Sequence, residues 1–269
     1  MFFLSFGDWG ENTPLKKMVL NLIYTLKPDA ILSLGDNFYE YGVSSTQDPL
    51  WESHFKSYFF EMKFYAILGN HDYLGNTDAQ IKYSTINPNW IMPHRYYDRM
   101  YDDVHLIAID TYEMAYVESI SNAVSMGQSA ADCFKQLDTL RRDNQLQWLE
   151  RSLKTSKSKW KIVFGHYPIY SNGVHGNTTE LSKSLLPLLK KYKVHLYLSG
   201  HDHNICYRED GVHCLVSGNG SRVSRIHSNT EFASLKSSVG IAYVKTSMKN
   251  LEFGFYDMDG NTILQKVIE

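Results

Sequence analysis

Five short segments of this 269-residue chain share one grammar: an apolar run, then a small residue, then a side chain able to bind a metal ion. They are Gly7-Asp8-Trp9-Gly10, Gly35-Asp36-Asn37-Phe38-Tyr39, Gly69-Asn70-His71-Asp72, Gly165-His166-Tyr167-Pro168 and Gly200-His201-Asp202-His203. Carboxylate and phenolate oxygens suit hard, highly charged cations, whereas imidazoles and an amide oxygen suit Zn²⁺, Mn²⁺ or Fe²⁺. The candidate ligands are therefore Asp8, Asp36, Tyr39, Asn70, His166, His201 and His203. Two cations about 3.5–4 Å apart clamp the attacking and leaving oxygens of a phosphoryl group, and the Asp36 carboxylate is suited to bridge them. A single Asp after a glycine is usually a turn or cap residue. Five such segments in order describe a metal cage. His54, His94, His105, His195, His213 and His227 lie outside these segments and read as structural, as do Ser5, Ser33 and Ser199.

The elements that must hold these residues can be read from hydrophobic pattern. Residues 2–7, 30–34, 64–68, 104–109, 161–164 and 194–198 read as strands, the fourth ending at Asp110. Thr13 and Pro14 open a helix with Met18, Leu22 and Leu26 on one face. Further helices are expected near 49–60, from about 145 with Leu146, Leu149 and Leu153 aligned, and near 180–192. Residues 213–268 read as antiparallel strands with a turn at Asp259-Gly260-Asn261, which suggests a second, more antiparallel sheet. The alternation of strand and helix indicates an α/β core with helices covering its sheets. In such folds ligands bind beyond the carboxyl ends of strands, which is where all five segments fall. Glycines there permit sharp turns and close backbone approach.

Composition is that of a globular chain, 43% hydrophobic and 21% charged, and no linker divides it, so a single domain over 1–269 is expected. A net charge of −2 argues against nucleic-acid binding. Lys16-Lys17, Arg141-Arg142 and Lys190-Lys191 read as solvated helix faces. Three cysteines, Cys133, Cys206 and Cys214, show no zinc-type spacing; Cys206 and Cys214 flank a turn but are expected to be free thiols. No apolar run is long enough to span a membrane, and the apolar start at Met1–Phe6 lacks the features of a signal peptide. A cytoplasmic monomer is expected, unless a leader has been removed.

The ordered set of segments resembles the metallophosphoesterase superfamily, and more narrowly the purple acid phosphatases of the short, tartrate-resistant type. The likeness extends to Ile31–Tyr39 and Tyr197–Asn204. The superfamily commonly has His where this chain has Gly10, and Asp where it has Tyr39. Exchanging an imidazole for a phenolate hardens one metal site and favours Fe(III); a tyrosinate–Fe(III) pair gives that family its purple colour. The resemblance implies a calcineurin-like sandwich of two mixed β-sheets flanked by helices. It implies a ferric site of Asp8, Asp36, Tyr39 and His203, and a site for Fe(II), Zn(II) or Mn(II) of Asp36, Asn70, His166 and His201.

His71 and His175 would then face the substrate phosphate as catalytic residues. In animal relatives an acid commonly precedes the second histidine; here Val174 stands there. The reaction implied is hydrolysis of small phosphate monoesters by attack of a metal-bound hydroxide. A Mn/Zn phosphodiesterase or nucleotide hydrolase, and a non-catalytic binding scaffold, are the competing readings. Segment 112–144 fits no strong period and reads as a surface excursion, near where animal relatives carry a loop over the active site. The disulfide of those relatives is not expected, because Asn177–Leu181 offers no partner for Cys133. If a leader was removed, secretion or a lysosomal location would follow, and Asn177 and Asn219 open glycosylation sequons.

Overall fold

A computed structural model describes residues 1–59, 61–115, 139–227 and 231–269. Strand β1 (Phe2–Phe6) lies inside a seven-stranded sheet, between β2 (Ala30–Ser33) and β11 (Ile241–Thr246). It runs parallel to β2, with Phe3 opposite Ala30, and antiparallel to β11. Beyond β2 come β3 (Phe64–Tyr65) and β4 (Trp90–Ile91); beyond β11 come β12 (Leu251–Tyr256) and β13 (Thr262–Ile268). The second sheet has six strands. Its parallel centre is β6 (Val104–Ala108), β7 (Trp160–Phe164), β8 (Leu196–Ser199) and β10 (His213–Ser217). Antiparallel edges are added by β5 (Tyr97–Met100) and β9 (Ile205–Glu209).

Both sheets are therefore mixed, as the resemblance implied. The C-terminal strands do not form a sheet of their own, however. Strands β11 to β13 extend the first sheet beside β1, while β9 and β10 complete the second. One apolar cluster includes Phe3, Ile31, Ile107, Val163, Leu215 and Phe253 from both sheets. The turn expected at 259–261 is present, closed by Asp257, whose Oδ1 accepts the N–H of Asp259 and of Asn261.

Helix α1 (Pro14–Leu26) starts as expected, with the Thr13 hydroxyl accepting the Lys16 N–H. Its inward face is Val19, Leu20, Leu22 and Ile23, whereas Met18 is 44% exposed. Lys16 is not solvated; it is buried, its ammonium donating to Asn12 Oδ1 and the His54 carbonyl. A π-helical turn, Trp51–Lys56, leads into the short helix α2 (Ser57–Phe59), and α3 (Thr77–Tyr83) follows β3. Helix α4 (Thr139–Thr155) begins before the expected position. The helix expected over 180–192 is two, α5 (Thr179–Ser184) and α6 (Leu186–Lys191). Pro187 explains the break, since it lacks the N–H that a continuous helix would need.

Among the described residues no helix is long and apolar enough to cross a membrane. Most of segment 112–144 lies outside the described residues, as does Cys133. Cys206 and Cys214 are free and buried, and the register places them opposite Val216 and Arg208 rather than each other.

Candidate metal centre

Loops following β1, β2, β3, β7 and β8 converge at one end of the two sheets and carry every predicted site residue. An aromatic cluster anchors two of these loops. Trp9 is fully buried and meets Phe59 and Phe64 edge to face, with ring centres 5.4 and 5.1 Å away. Each such pair contributes about 0.5–1.5 kcal/mol beyond area burial. The Trp9 indole N–H donates to Ser33 Oγ, which donates to Asn37 Oδ1, and Asn37 Nδ2 reaches the Ile67 carbonyl. Ser33 thus has the structural role expected of it. Asp8, Asp36 and His201 adopt positive φ values of 62°, 51° and 69°. That region is uncommon outside glycine, and such strain persists where the surroundings enforce it, often at functional sites.

Two groups of donors result. In the first, the Tyr39 hydroxyl lies 3.2 Å from Asp8 Oδ1 and 3.1 Å from His203 Nε2. In the second, Asn70 Oδ1 lies 2.9 Å from His166 Nε2 and 3.0 Å from His201 Nδ1. Asp36 bears on both: its charge raises the Tyr39 phenol, and its Oδ1 is 3.6 Å from His166 Nε2. Donor atoms of Asp8, Asp36 and His166 all lie within 4.8 Å of one another. Their outer bonds orient them. His166 Nδ1 is 2.7 Å from the Leu34 carbonyl, which fixes the proton there and leaves the Nε2 lone pair facing the cluster.

Electrostatics agree with a cation site. Burial alone would raise the Asp36 carboxyl, but His166, His71 and His203 hold it below the usual carboxylate range. Burial, and then the neighbouring His175, His166 and His203, push His201 well below its ordinary value, so its imidazole is neutral. The Tyr39 phenol is driven well above its ordinary value by burial and by the charges of Asp8 and Asp36. A phenolate there needs a positive ion beside it. Despite burial, the charges of Asp36 and Asp8 hold His166 and His203 above their ordinary values. Carboxylate, phenol and amide oxygens beside three imidazoles form a donor set that fits a pair of metal ions.

The two predicted catalytic histidines border this cluster. His71 Nδ1 is 2.7 Å from the Glu40 carbonyl, and its ring meets Tyr39 edge to face at 4.4 Å. His175 is exposed, with its ring 4.3 Å from that of His201. The histidines read as structural have partners elsewhere: His105 with Ser156 and Asp98, His195 with the Lys161 N–H, and His213 with Tyr207.

Several contributors escaped the sequence reading. Asp72 is fully buried and accepts from Asn37, Gly69 and Gln80, tying the β2 and β3 loops together. Burial and the Asp36 charge push its carboxyl up to about 6. Asp202 accepts the His175 N–H at 3.0 Å and the Ser171 hydroxyl. Both sit inside the recognised segments, so their position was the available signal. Glu11, Glu40 and Arg222 were also missed; Arg222 pairs with Glu40 across 182 residues of sequence, which no local pattern reveals. Asn219 is fully buried and hydrogen-bonded to the His203 carbonyl, so its sequon is not available in the folded chain.

Comparison with known proteins agrees with this geometry. Residues 1–204 match the family described as Calcineurin-like phosphoesterase. The chain is 32% identical over 296 residues to tartrate-resistant acid phosphatase type 5 of Sus scrofa, covering 98% of this chain and 85% of the relative. It is 30% identical over 280 residues to purple acid phosphatase 4 of Arabidopsis thaliana, covering 97% and 81%. Among solved structures it is similar to GAP50, described as the anchor in the inner membrane complex of Plasmodium. That match has a TM-score of 0.81 and 27% identity, covering 100% of this chain and 88% of the other. Fold and site together define a metal-dependent phosphoesterase. The chain belongs to the calcineurin-like phosphoesterase family, and within it to the purple acid phosphatases of the tartrate-resistant type. It is a phosphatase.

Proposed function

We propose that the chain hydrolyses phosphate monoesters at a dinuclear Fe(III)–M(II) centre. Asp8, Asp36, Tyr39 and His203 would hold the ferric ion. Asp36, Asn70, His166 and His201 would hold the second ion, Fe(II), Zn(II) or Mn(II). The observation that carries this reading is the shared position of Asp36 between a phenol-containing group of donors and an amide-imidazole group. When bound, the metals would activate a water and neutralise charge on the phosphoryl group.

The side chains supply the rest. His71 is held at Nδ1 by the Glu40 carbonyl, which leaves Nε2 to contact the substrate phosphate. His175, more exposed, would serve the leaving group. A proton delivered to the departing alkoxide by either imidazole is worth roughly 10²–10⁴-fold in rate. Neither step needs a side-chain nucleophile. We propose too that residues 1–269 act as one domain and as a monomer; a hydrophobic cluster shared by both sheets supports the first of these.

The test is turnover by iron- and zinc-reconstituted protein on p-nitrophenyl phosphate, its bis-ester and nucleotides. Preference for the monoester is expected, and preference for the bis-ester or nucleotides would replace this reading. The likeness to the Plasmodium anchor favours a second reading, a docking scaffold built on this fold. Absence of turnover in the fully metallated chain would favour it.

A further inference from the structure

Beside the Tyr39 ring lies a charged arrangement that the metal cage does not use. The Arg222 guanidinium sits 4.1 Å from the centre of that ring. Its Nε donates to Glu11 Oε2 at 2.7 Å, and its Nη2 pairs with Glu40 Oε1. These three residues come from the loops after β1, β2 and β10. The arm is also fixed at its root: Asn219 Nδ2 donates to the Arg222 carbonyl at 3.2 Å and to the His203 carbonyl at 2.8 Å. His203, in turn, is 3.1 Å from the Tyr39 hydroxyl.

Arg222 is poorly placed to bind substrate. Its guanidinium is engaged by two carboxylates, and its side chain is only 27% exposed. What it does face is the aromatic ring. A cation over an aromatic face stabilises the electron density of the ring, and the attraction grows when the ring carries the negative charge of a phenolate.

We propose that Arg222, clamped between Glu11 and Glu40, is a positioning residue that fixes the Tyr39 ring and limits the charge its phenolate gives to a bound ferric ion. The proposal rests on the ferric reading above. In a phenolate–Fe(III) pair the visible band arises from transfer of phenolate electron density to the metal. A cation at the ring lowers the donor level and moves the band to shorter wavelength. Removing the cation moves it the other way.

The experiment compares visible spectra of the oxidised, iron-loaded full chain with those of Arg222→Met, Arg222→Lys and Glu11→Gln. Arg222→Met is expected to shift the band to longer wavelength, with Arg222→Lys restoring much of the position. Glu11→Gln is expected to shift it to shorter wavelength, because the guanidinium charge is then less neutralised. A purely structural role would not produce shifts of opposite sign. A band at the wild-type wavelength in folded Arg222→Met overturns the proposal. Should that variant not fold, Glu11→Gln decides, since its altered carboxylate is on a side chain 45% exposed; an unmoved band there is equally contrary. A wild-type chain without any visible band overturns the ferric reading, and this proposal with it.

Discussion

Gly10 and Tyr39 pack backbone to backbone. The Tyr39 N–H donates to the Gly10 carbonyl at 3.1 Å, and a β-carbon at position 10 would lie 2.5 Å from the Tyr39 nitrogen and 2.7 Å from the Phe38 α-carbon. The two departures from the wider superfamily are thus one arrangement. Absence of a side chain at 10 lets the 38–39 backbone approach, and that approach belongs to the same loop that brings the phenol to Asp8 and His203.

Gly10→Ala tests this coupling. The new methyl group meets main chain rather than a flexible side chain, so the loop has to shift. A loss of about 1–3 kcal/mol is expected, typical of overpacking, together with a weakened or displaced visible band in the iron-loaded protein. Thermal unfolding and absorption spectra check both. Unchanged spectra with unchanged melting would show that the two positions are independent.

His203→Ala removes a donor from the phenol-containing group while leaving Asn70, His166 and His201 in place. Iron content should fall and zinc retention should persist. Turnover should drop by more than about 100-fold, beyond the 10–100-fold typical of outer-shell changes. Full activity at normal metal content would rule out the assigned ligand set.

Lys16 offers a pH test away from the metals. Burial pulls its ammonium from 10.5 down to about 7. Between those values the unfolded chain keeps a proton that the folded chain has released, so stability rises with pH across that window. Below about 7 the cost of burying the charge is fully present. Lys16→Met should remove that slope and stabilise most near pH 6, by on the order of a few kcal/mol at most. Denaturant melts from pH 6 to 10 would reveal it; parallel slopes in the two proteins would contradict the burial argument.

Much of the site was legible because its parts are local. Each donor follows an apolar strand and a small residue, and that pattern survives in the sequence of each loop. Chain order carried no information on lateral partners. The strand pattern of residues 241–268 carries no sign that β11 pairs with β1, so those strands read as a separate sheet. Lys16 reads as solvated because it forms a short basic pair with Lys17, whereas its side chain lies against Trp9 and Tyr58. The Arg222 clamp depends on three loops meeting in space and left no local trace.

The most direct measurement is metal analysis and visible absorption of the oxidised wild-type chain beside Tyr39→Phe. The phenylalanine ring keeps the packing against His71 and Arg222 but has no oxygen to give to a metal. One iron and one further metal per wild-type chain, with a visible band that vanishes in Tyr39→Phe, is the predicted result. A band that survives the substitution, or a wild-type protein that binds no iron, would contradict the tyrosinate–iron assignment.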